Sequence, residues 1–183
     1  MKTKPTRITS NAAVPKKLTP CLWYDGNAED AVAFYRSIFK KTKLLSVTHY
    51  SDAGHGKTGS VMTMKFRLEG QDFLALNGGP HYKFNPAISF IIDCLDQAEV
   101  DYFWDKLSEG GELQQCGWLT DKFGLCWQIV PRGLIELYET KDAAKVKRVM
   151  EAMMKMVKLD IAVLEAAAKE PKAPAKAKKK AKK

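Results

Sequence analysis

Apolar residues recur at two different periods along the chain, and the change of period divides it into elements. Residues 18–24 (LTPCLWY) are a short apolar run typical of a strand. Residues 25–39 then place apolar side chains at helical spacing after Asn27, a residue type that often caps helices. Three strand-length segments follow up to residue 79, separated by glycines. The predicted order of the first part of the chain is therefore βαβββ.

The same order of elements repeats after Pro80. Residues 87–94 predict a strand, and residues 97–107 predict a helix that a pair of glycines ends. Three further strands are predicted at ELQQCGW, GLCWQIVP and GLIELYE. Two units of roughly 65 residues with one order predict modules that pack side by side, since one alone cannot close a core. We therefore expect an α+β fold with one module over 18–80 and another over 81–138.

Residues 139–168 form the longest periodic segment and predict a long C-terminal helix packed on its own sheet or on a second subunit. Its apolar stripe consists of Val146, Val149, Met150, Met153, Met156, Val157, Ile161 and Leu164. Residues 1–17 mix polar residues without period and predict a flexible basic arm. Residues 169–183 are Lys, Ala and Pro apart from one Glu, which predicts a disordered tail.

The formal net charge of +9 is concentrated in these two extensions. Residues 169–183 carry +7 and residues 1–17 carry +5, so residues 18–168 carry −3. The modules therefore have no charge-based affinity for nucleic acid. The tail either binds nucleic acid nonspecifically by counterion release or only solubilises the protein, and both interpretations stay open. The lysines that would contact phosphate are Lys176, Lys178, Lys179, Lys180, Lys182 and Lys183.

The sequence also bears on the compartment. No segment reaches the length of a membrane span, and the first residues lack the apolar stretch of a secretion signal. The four cysteines form no C-x-x-C pair, so we expect reduced thiols rather than a zinc site or a disulfide framework. We therefore expect a cytoplasmic protein with no membrane partner.

Five stretches together resemble one known family. They are, in chain order, TPCLWYDGNAEDAVAFY, ALNGGP, AISFIIDC, CGWLTDKFGLCWQIVP and RVMEAMMKMVKLDIAVLEAA. They resemble the PhnB-like branch of the vicinal-oxygen-chelate superfamily, which contains glyoxalases, bleomycin-resistance proteins and dioxygenases. The resemblance implies paired βαβββ modules that curl around a cavity, usually in a homodimer. This branch is often labelled demethylubiquinone methyltransferase, but no G-x-G-x-x-G follows a strand here to hold S-adenosylmethionine.

The resemblance also places the metal ligands of the superfamily on this sequence. Metal-dependent members use His and Glu side chains, and the matching positions here are Pro20, Ala87 and Gln128. The first two cannot bind a metal, and Gln128 offers only a neutral carbonyl oxygen. We therefore expect neither a metal nor a cofactor, and the lyase or dioxygenase pattern of the superfamily is not met.

Other chemical motifs are absent or incomplete. The run SDAGHGKTG at 51–59 nearly matches a phosphate-binding loop, but Ser51 replaces the first glycine and a strand follows. A glycine-rich hairpin loop is the prediction. Of the three histidines, only His49 stands on a predicted strand that can point it inward, whereas His55 and His81 lie in predicted loops. No serine or cysteine has the sequence context of a nucleophile, so no catalytic residue is assigned.

The candidates for ligand binding are polar and aromatic side chains near the predicted cavity. Strand alternation places Ser89 on one face with Ala87 and Ile91, and Gln128 on one face with Val130. The predicted ligand-binding residues are Ser89, Gln128, Asn77, Trp118 and His49.

Three functions are compatible with these patterns. The first is a homodimeric protein that binds a small molecule in a cavity without metal. The second is an enzyme of lyase, transferase or dioxygenase type with a non-standard metal site that uses His49 or Glu136. The third is a dimer that binds DNA nonspecifically through its tail. The sequence does not name the ligand and leaves open whether the protein is catalytic.

Overall fold

The computed structural model describes residues 17–169, and the chain divides into two compact units, Met1–Tyr82 and Lys83–Lys183. The predicted basic arm, apart from Lys17, lies outside the described residues. So does the tail from residue 170 onward, with the six lysines expected to contact nucleic acid. Across residues 17–169, none of the helices has the length and apolar character needed to cross a membrane.

The first unit is a βαβββ module, as the sequence predicts. Its elements are β1 (Cys21–Tyr24), α1 (Ala28–Ile38), β2 (Thr42–His49), β3 (Val61–Leu68) and β4 (Gln71–Asn77). The sheet has the order β1-β4-β3-β2, in which β1 runs parallel to β4 and the other neighbours are antiparallel. Because β1 and β4 are parallel, both strands end at the edge of the sheet where α1 begins.

The core of the first unit lies between α1 and one face of its sheet. The helix buries Ala28, Ala31, Val32, Tyr35 and Ile38, which are spaced as the predicted helical period requires. In the sheet, Phe66 stacks on its cross-strand partner Phe73 with ring centroids 5.4 Å apart. The opposite face of the sheet carries polar side chains, including the Arg67–Asp72 ion pair.

The second unit repeats this topology. Its elements are β5 (Phe90–Cys94), α2 (Gln97–Leu107), β6 (Glu112–Leu113), β7 (Trp118–Thr120) and β8 (Cys126–Pro131). The sheet has the order β5-β8-β7-β6, and β5 runs parallel to β8. The α+β fold of paired βαβββ modules is therefore confirmed.

One predicted strand is wrong. GLIELYE was expected to be the last strand of the second module, but it forms a short helix, α3 (Leu134–Glu139). Its apolar residues, Leu134, Ile135, Leu137 and Tyr138, recur three and four residues apart, which is the helical period, and only the short length of the apolar run resembled a strand. Gly133 turns the chain with φ at 89°, and Leu134 and Leu137 then pack on the apolar cluster of the C-terminal helices. ELQQCGW instead contributes to two strands, β6 and β7.

The predicted C-terminal helix is present but divided into α4 (Ala143–Met153) and α5 (Ile161–Ala168). In the break between them, the carbonyl oxygens of Met156 and Val157 accept hydrogen bonds from the backbone N–H groups of Cys116 and Gly117, both at 2.8 Å. The segment pairs with the turn before β7 and therefore cannot continue the helical ladder. Asp160 starts α5 anew by accepting from the N–H of Val163 at 3.1 Å.

The C-terminal helices pack on their own unit. A buried cluster holds them, formed by Leu134, Val149, Leu159 and Leu164. Two links from α2 add to it: the Gln97 side chain bonds both Leu159 O and Ile161 N, and Lys158 Nζ lies 2.8 Å from Asp101 Oδ1. Val149, Met153, Met156 and Leu164 of the predicted apolar stripe therefore pack within the second unit, whereas Met150 and Val157 of the same stripe are exposed.

Candidate ligand-binding sites

Asn77, at the end of β4, joins three parts of the first unit. Its Oδ1 accepts from the backbone N–H of Ala28 at 2.9 Å, and its Nδ2 donates to Glu29 Oε2 at 2.7 Å and Val61 O at 3.1 Å. The Tyr50 hydroxyl donates to the Asn77 carbonyl oxygen at 2.5 Å. Asn77 is only 9% exposed. This predicted ligand-binding residue thus holds α1 and β3 together through its side chain, and the hairpin loop through its carbonyl oxygen.

A cleft of about 380 Å³ lies beside Asn77 in the first unit. Its three walls are the start of α1, the loop between β2 and β3, and residues 78–81. The charged, titratable and aromatic side chains that line it are Asp25, Glu29, Tyr50, His55, Lys57 and His81.

Glycines let two walls of this cleft pack directly on aromatic rings. A Cβ on Gly56 would lie 2.3 Å from the Tyr50 ring, and a Cβ on Gly78 would lie 2.3 Å from the Trp23 ring. Trp23 Nε1 also donates to Gly79 O at 2.7 Å. The predicted glycine-rich hairpin loop is confirmed, and its glycines are needed because the backbone closes over Tyr50.

His49 lies apart from this cleft. It ends β2 opposite Val61, its side chain is exposed, and it does not line the 380 Å³ space. His55 and His81, which lie in the predicted loops, do line it. The missed signal is the near-match to a phosphate-binding loop, because the same run carries His55 and Lys57.

In the second unit, three of the predicted residues meet on one face of the sheet. Gln128 pairs with Ile91 on β5 and with Trp118 on β7, and its Nε2 donates to Ser89 Oγ at 2.8 Å. These residues alternate with the buried Trp127 and Ile129 on the helix side. We call the face that carries Ser89, Ile91, Trp118 and Gln128 the open face of the second sheet. Asn77 and His49 belong to the first unit.

Asp121 holds the hairpin that brings Trp118 opposite Gln128. Its Oδ1 accepts from the backbone N–H groups of Phe123 and Leu125 at 2.8 and 3.1 Å, and its Oδ2 accepts from Trp127 Nε1 at 2.8 Å. The carboxylate is 2% exposed, and three donors compensate its burial. Asp121 therefore positions the open face without belonging to it.

A cavity of about 330 Å³ adjoins the open face where β5 and β8 end. Ile91 and Val130 form its sheet side, and α3 contributes Glu136, the residue considered above for a non-standard metal site. Asp93 and Arg132, also in its lining, form an ion pair at 3.0 Å. Among residues 17–169, no three His, Cys, Asp or Glu side chains are grouped so that they could hold a metal ion.

The four cysteines are free thiols in different surroundings. Cys94 is buried, and its thiol pKa is raised to about 12. The main cause is desolvation of the thiol, and the nearby carboxylates of Glu99, Asp93 and Asp96 add to it. Cys21 is exposed at the start of β1, and partial desolvation of the thiol raises its pKa as well. Neither thiol has the lowered pKa of a catalytic nucleophile.

Comparison with known proteins agrees with this architecture. The family described as 3-demethylubiquinone-9 3-methyltransferase matches residues 16–130. The PhnB protein from Bacillus cereus is 32% identical, with a TM-score of 0.58, over 63% of this chain and 99% of that one. Protein PA1353 from Pseudomonas aeruginosa is 19% identical, with a TM-score of 0.54, over 64% of this chain and 98% of that one, which shows a shared fold. Among curated proteins, none matches. Since the family match spans more than half of the sequence, the chain belongs to the 3-demethylubiquinone-9 3-methyltransferase family and is PhnB-like.

Proposed function

We propose that the protein binds a small molecule on the open face of the second sheet and that this binding requires no metal ion. The observation that carries the proposal is the 2.8 Å hydrogen bond from Gln128 Nε2 to Ser89 Oγ. It orients the amide on a half-buried sheet face, and within residues 17–169 no protein group donates to the amide's carbonyl oxygen. That oxygen is therefore available to accept a hydrogen bond from a ligand.

The surroundings of Gln128 indicate what such a ligand needs. Trp118, directly across the ladder, offers an indole ring for stacking. Ile91, on the other side, is 56% exposed and adds apolar surface next to the 330 Å³ cavity. A few polar groups within apolar surroundings are typical of small-molecule sites. We therefore infer a ligand with a flat or apolar body and at least one hydrogen-bond donor.

The open face also supports the proposal of a homodimer. Ile91 on this face is 56% exposed, and Trp118 beside Gln128 is partly exposed. Apolar surface on a sheet face favours a covering partner over free solvent. A second copy of the chain is the partner that the family resemblance implies. It would close the site by supplying a second wall over Gln128.

The test compares the small molecules that copurify with three versions of the full chain. Native protein, Gln128→Leu and the control Gln115→Leu are purified identically, denatured and extracted, and the extracts are compared by mass spectrometry. Gln115 is exposed and precedes β7, outside the open face. We expect one compound to be retained by the native protein and the control, and lost from Gln128→Leu. Equal retention by all three would contradict the proposal.

Metal dependence is tested in the same preparations. Elemental analysis of protein purified without chelator is expected to give far less than one equivalent of zinc, iron, nickel or manganese. A stoichiometric metal that is lost in His49→Ala or Glu136→Gln would instead support the enzymatic alternative with a non-standard metal site.

The charge distribution favours a second, separate function. Residues 169–183 carry +7 while residues 18–168 carry −3, so we propose that any DNA binding resides in the tail and is nonspecific. Gel-shift titrations of the full chain and a chain ending at Ala168, on two unrelated duplexes, test this. Only the full chain should bind, with equal affinity for both duplexes. The free thiols of this protein support a reducing, cytoplasmic setting for both functions.

A further inference from the structure

We propose that the 380 Å³ cleft of the first unit is a separate binding site for a small zwitterion, a molecule with one cationic and one anionic group such as a free amino acid. The cleft shares no lining residue with the open face of the second sheet. The run SDAGHGKTG, which the proposed function leaves unused, supplies part of its wall.

The walls of the cleft carry opposite charges. The wall at the start of α1 presents the carboxylates of Asp25 and Glu29. The hairpin loop presents His55 and Lys57, and the segment after β4 presents His81. Within the described part of the chain, none of these five side chains forms an ion pair with another residue. The two carboxylates and the Lys57 ammonium group are therefore available to a bound molecule, and the two imidazoles add hydrogen-bonding nitrogens.

This charge pattern favours a ligand that carries both a positive and a negative charge. A simple anion would be attracted by Lys57 but repelled by Asp25 and Glu29. A simple amine would be attracted by the two carboxylates but repelled by Lys57. A molecule with an ammonium group and a carboxylate satisfies both walls at once. The volume of about 380 Å³ lies in the lower range of ligand sites, which suits a molecule of amino-acid size with accompanying water.

The walls are held before any ligand arrives. Asn77 bonds to Ala28 and Glu29 of the helix wall and, through its carbonyl oxygen, to Tyr50 of the loop wall. The bond from Asn77 Nδ2 to Glu29 Oε2, at 2.7 Å, also directs this carboxylate. A site fixed in advance loses less conformational entropy on binding.

The test is a chemical-shift titration of the full chain by NMR. The probes are the ω-amino acids glycine, β-alanine, 4-aminobutyrate and 6-aminohexanoate, together with butyrate and butylamine, which each lack one charged group. At least one amino acid should bind ten times or more tighter than both single-charge probes, and shifts should cluster at residues 25–29, 55–57 and 78–81. Equal affinity for butyrate or butylamine, or no binding by any amino acid, would overturn the proposal.

Matched variants assign the binding to this cleft. Lys57→Gln and Asp25→Asn should each weaken amino-acid binding about tenfold, because each removes one charged partner. Lys40→Gln and Asp30→Asn remove the same charges from exposed positions near α1 but outside the cleft, and should leave the affinity unchanged. Gln128→Leu should also have no effect, which separates this site from the proposed function. Loss of binding in Gln128→Leu, or equal loss in the control variants, would refute the assignment to the cleft.

Discussion

The two units start their helices in different ways although both fold as βαβββ modules. In the second unit, Asp96 caps α2 by accepting from the backbone N–H of Glu99 at 2.9 Å, three residues further along the chain. In the first unit, Asn27 holds the N-cap position of α1, but its side chain makes no capping hydrogen bond. The first backbone N–H of the helix, that of Ala28, instead donates a hydrogen bond to Oδ1 of Asn77, which lies 49 residues away in sequence.

The difference shows that one structural requirement can be met locally or through tertiary contact. A helix start leaves backbone N–H groups without intrahelical partners, and each buried one needs an acceptor. Asp96 meets the need with a motif visible in the sequence. Asn77 meets it from the end of a parallel strand, and the same residue also shapes the charged cleft. In the first unit, one residue therefore both stabilises the helix start and lines the charged cleft. In the second unit, the capping residue Asp96 does not line a cavity described above.

We expect the greatest loss of stability from a substitution in the turn before β7, which pairs with the break between α4 and α5. Gly117 has φ at 81°, and a Cβ there would lie 2.8 Å from Ile129 O and 3.0 Å from the Leu159 side chain. Gly117→Ala combines backbone strain with overpacking and should lower the free energy of unfolding by about 4 kcal/mol. Urea denaturation followed by circular dichroism measures the loss.

Gly26→Ala is the matched control for this substitution. Gly26 has φ at 77°, but a Cβ at this position would have no neighbouring atom within 4 Å. Strain alone should cost about 1 kcal/mol there. If both variants lost the same stability, the close approach of Gly117 to Ile129 would not be what requires a glycine.

A somewhat smaller loss is expected at the tertiary cap of the first unit. Asn77→Ala leaves the Ala28 N–H and the Val61 carbonyl without this partner and should cost about 3 kcal/mol in urea denaturation. Asn27→Ala, at the formal cap position, should change stability by less than about 0.5 kcal/mol, because surface substitutions without such a bond are near neutral. A larger loss at Asn27 than at Asn77 would invert the comparison.

The local cap of the second unit, Asp96, should contribute less to the free energy of unfolding than the tertiary cap of the first unit does. Asp96→Ala removes one exposed capping bond and is expected to cost about 1 kcal/mol by the same measurement. Asp96→Asn keeps an acceptor and should recover most of the loss. A cost for Asp96→Ala as great as that for Asn77→Ala would mean that the tertiary cap has no energetic advantage over the local one.

An exposed local pair on α4 should matter least. Lys147 Nζ lies 3.7 Å from Glu151 Oε1, four residues apart, and both side chains are more than 60% exposed. Glu151→Gln should change the free energy of unfolding by no more than about 0.5 kcal/mol, and added salt should reduce even this difference. A change above about 1 kcal/mol would indicate that α4 has contacts beyond its own unit.

Much of the fold could be predicted from periodicity alone. The α2 helix occupies the predicted residues 97–107, and α1 buries the predicted apolar positions apart from a half-buried Phe34. The errors fall where a short apolar run was interpreted by its length, or where backbone groups pair at a distance. GLIELYE has the length of a strand but the spacing of a helix, and the break between α4 and α5 depends on hydrogen bonds from Cys116 and Gly117.

The candidate sites show the same division. Alternation placed Ser89 on one face with Ile91, and Gln128 on one face with Val130, and the strand pairing then brought Gln128 and Trp118 to the face of Ser89. His55, Lys57 and His81 were not recognised as neighbours, since their proximity depends on how the hairpin loop closes over Tyr50. The assignment of the five predicted ligand-binding residues to a common ligand stays a prediction.

Local period, motif order and composition were sufficient to predict the two βαβββ modules, the family and the segregation of positive charge into the extensions. Tertiary contacts were needed to establish that Asn77 caps α1, that the C-terminal helix is divided at residues 154–160, and that loop residues form a charged cleft. Each of these depends on a backbone group finding its partner far along the chain. No local pattern specifies which distant residue will satisfy it.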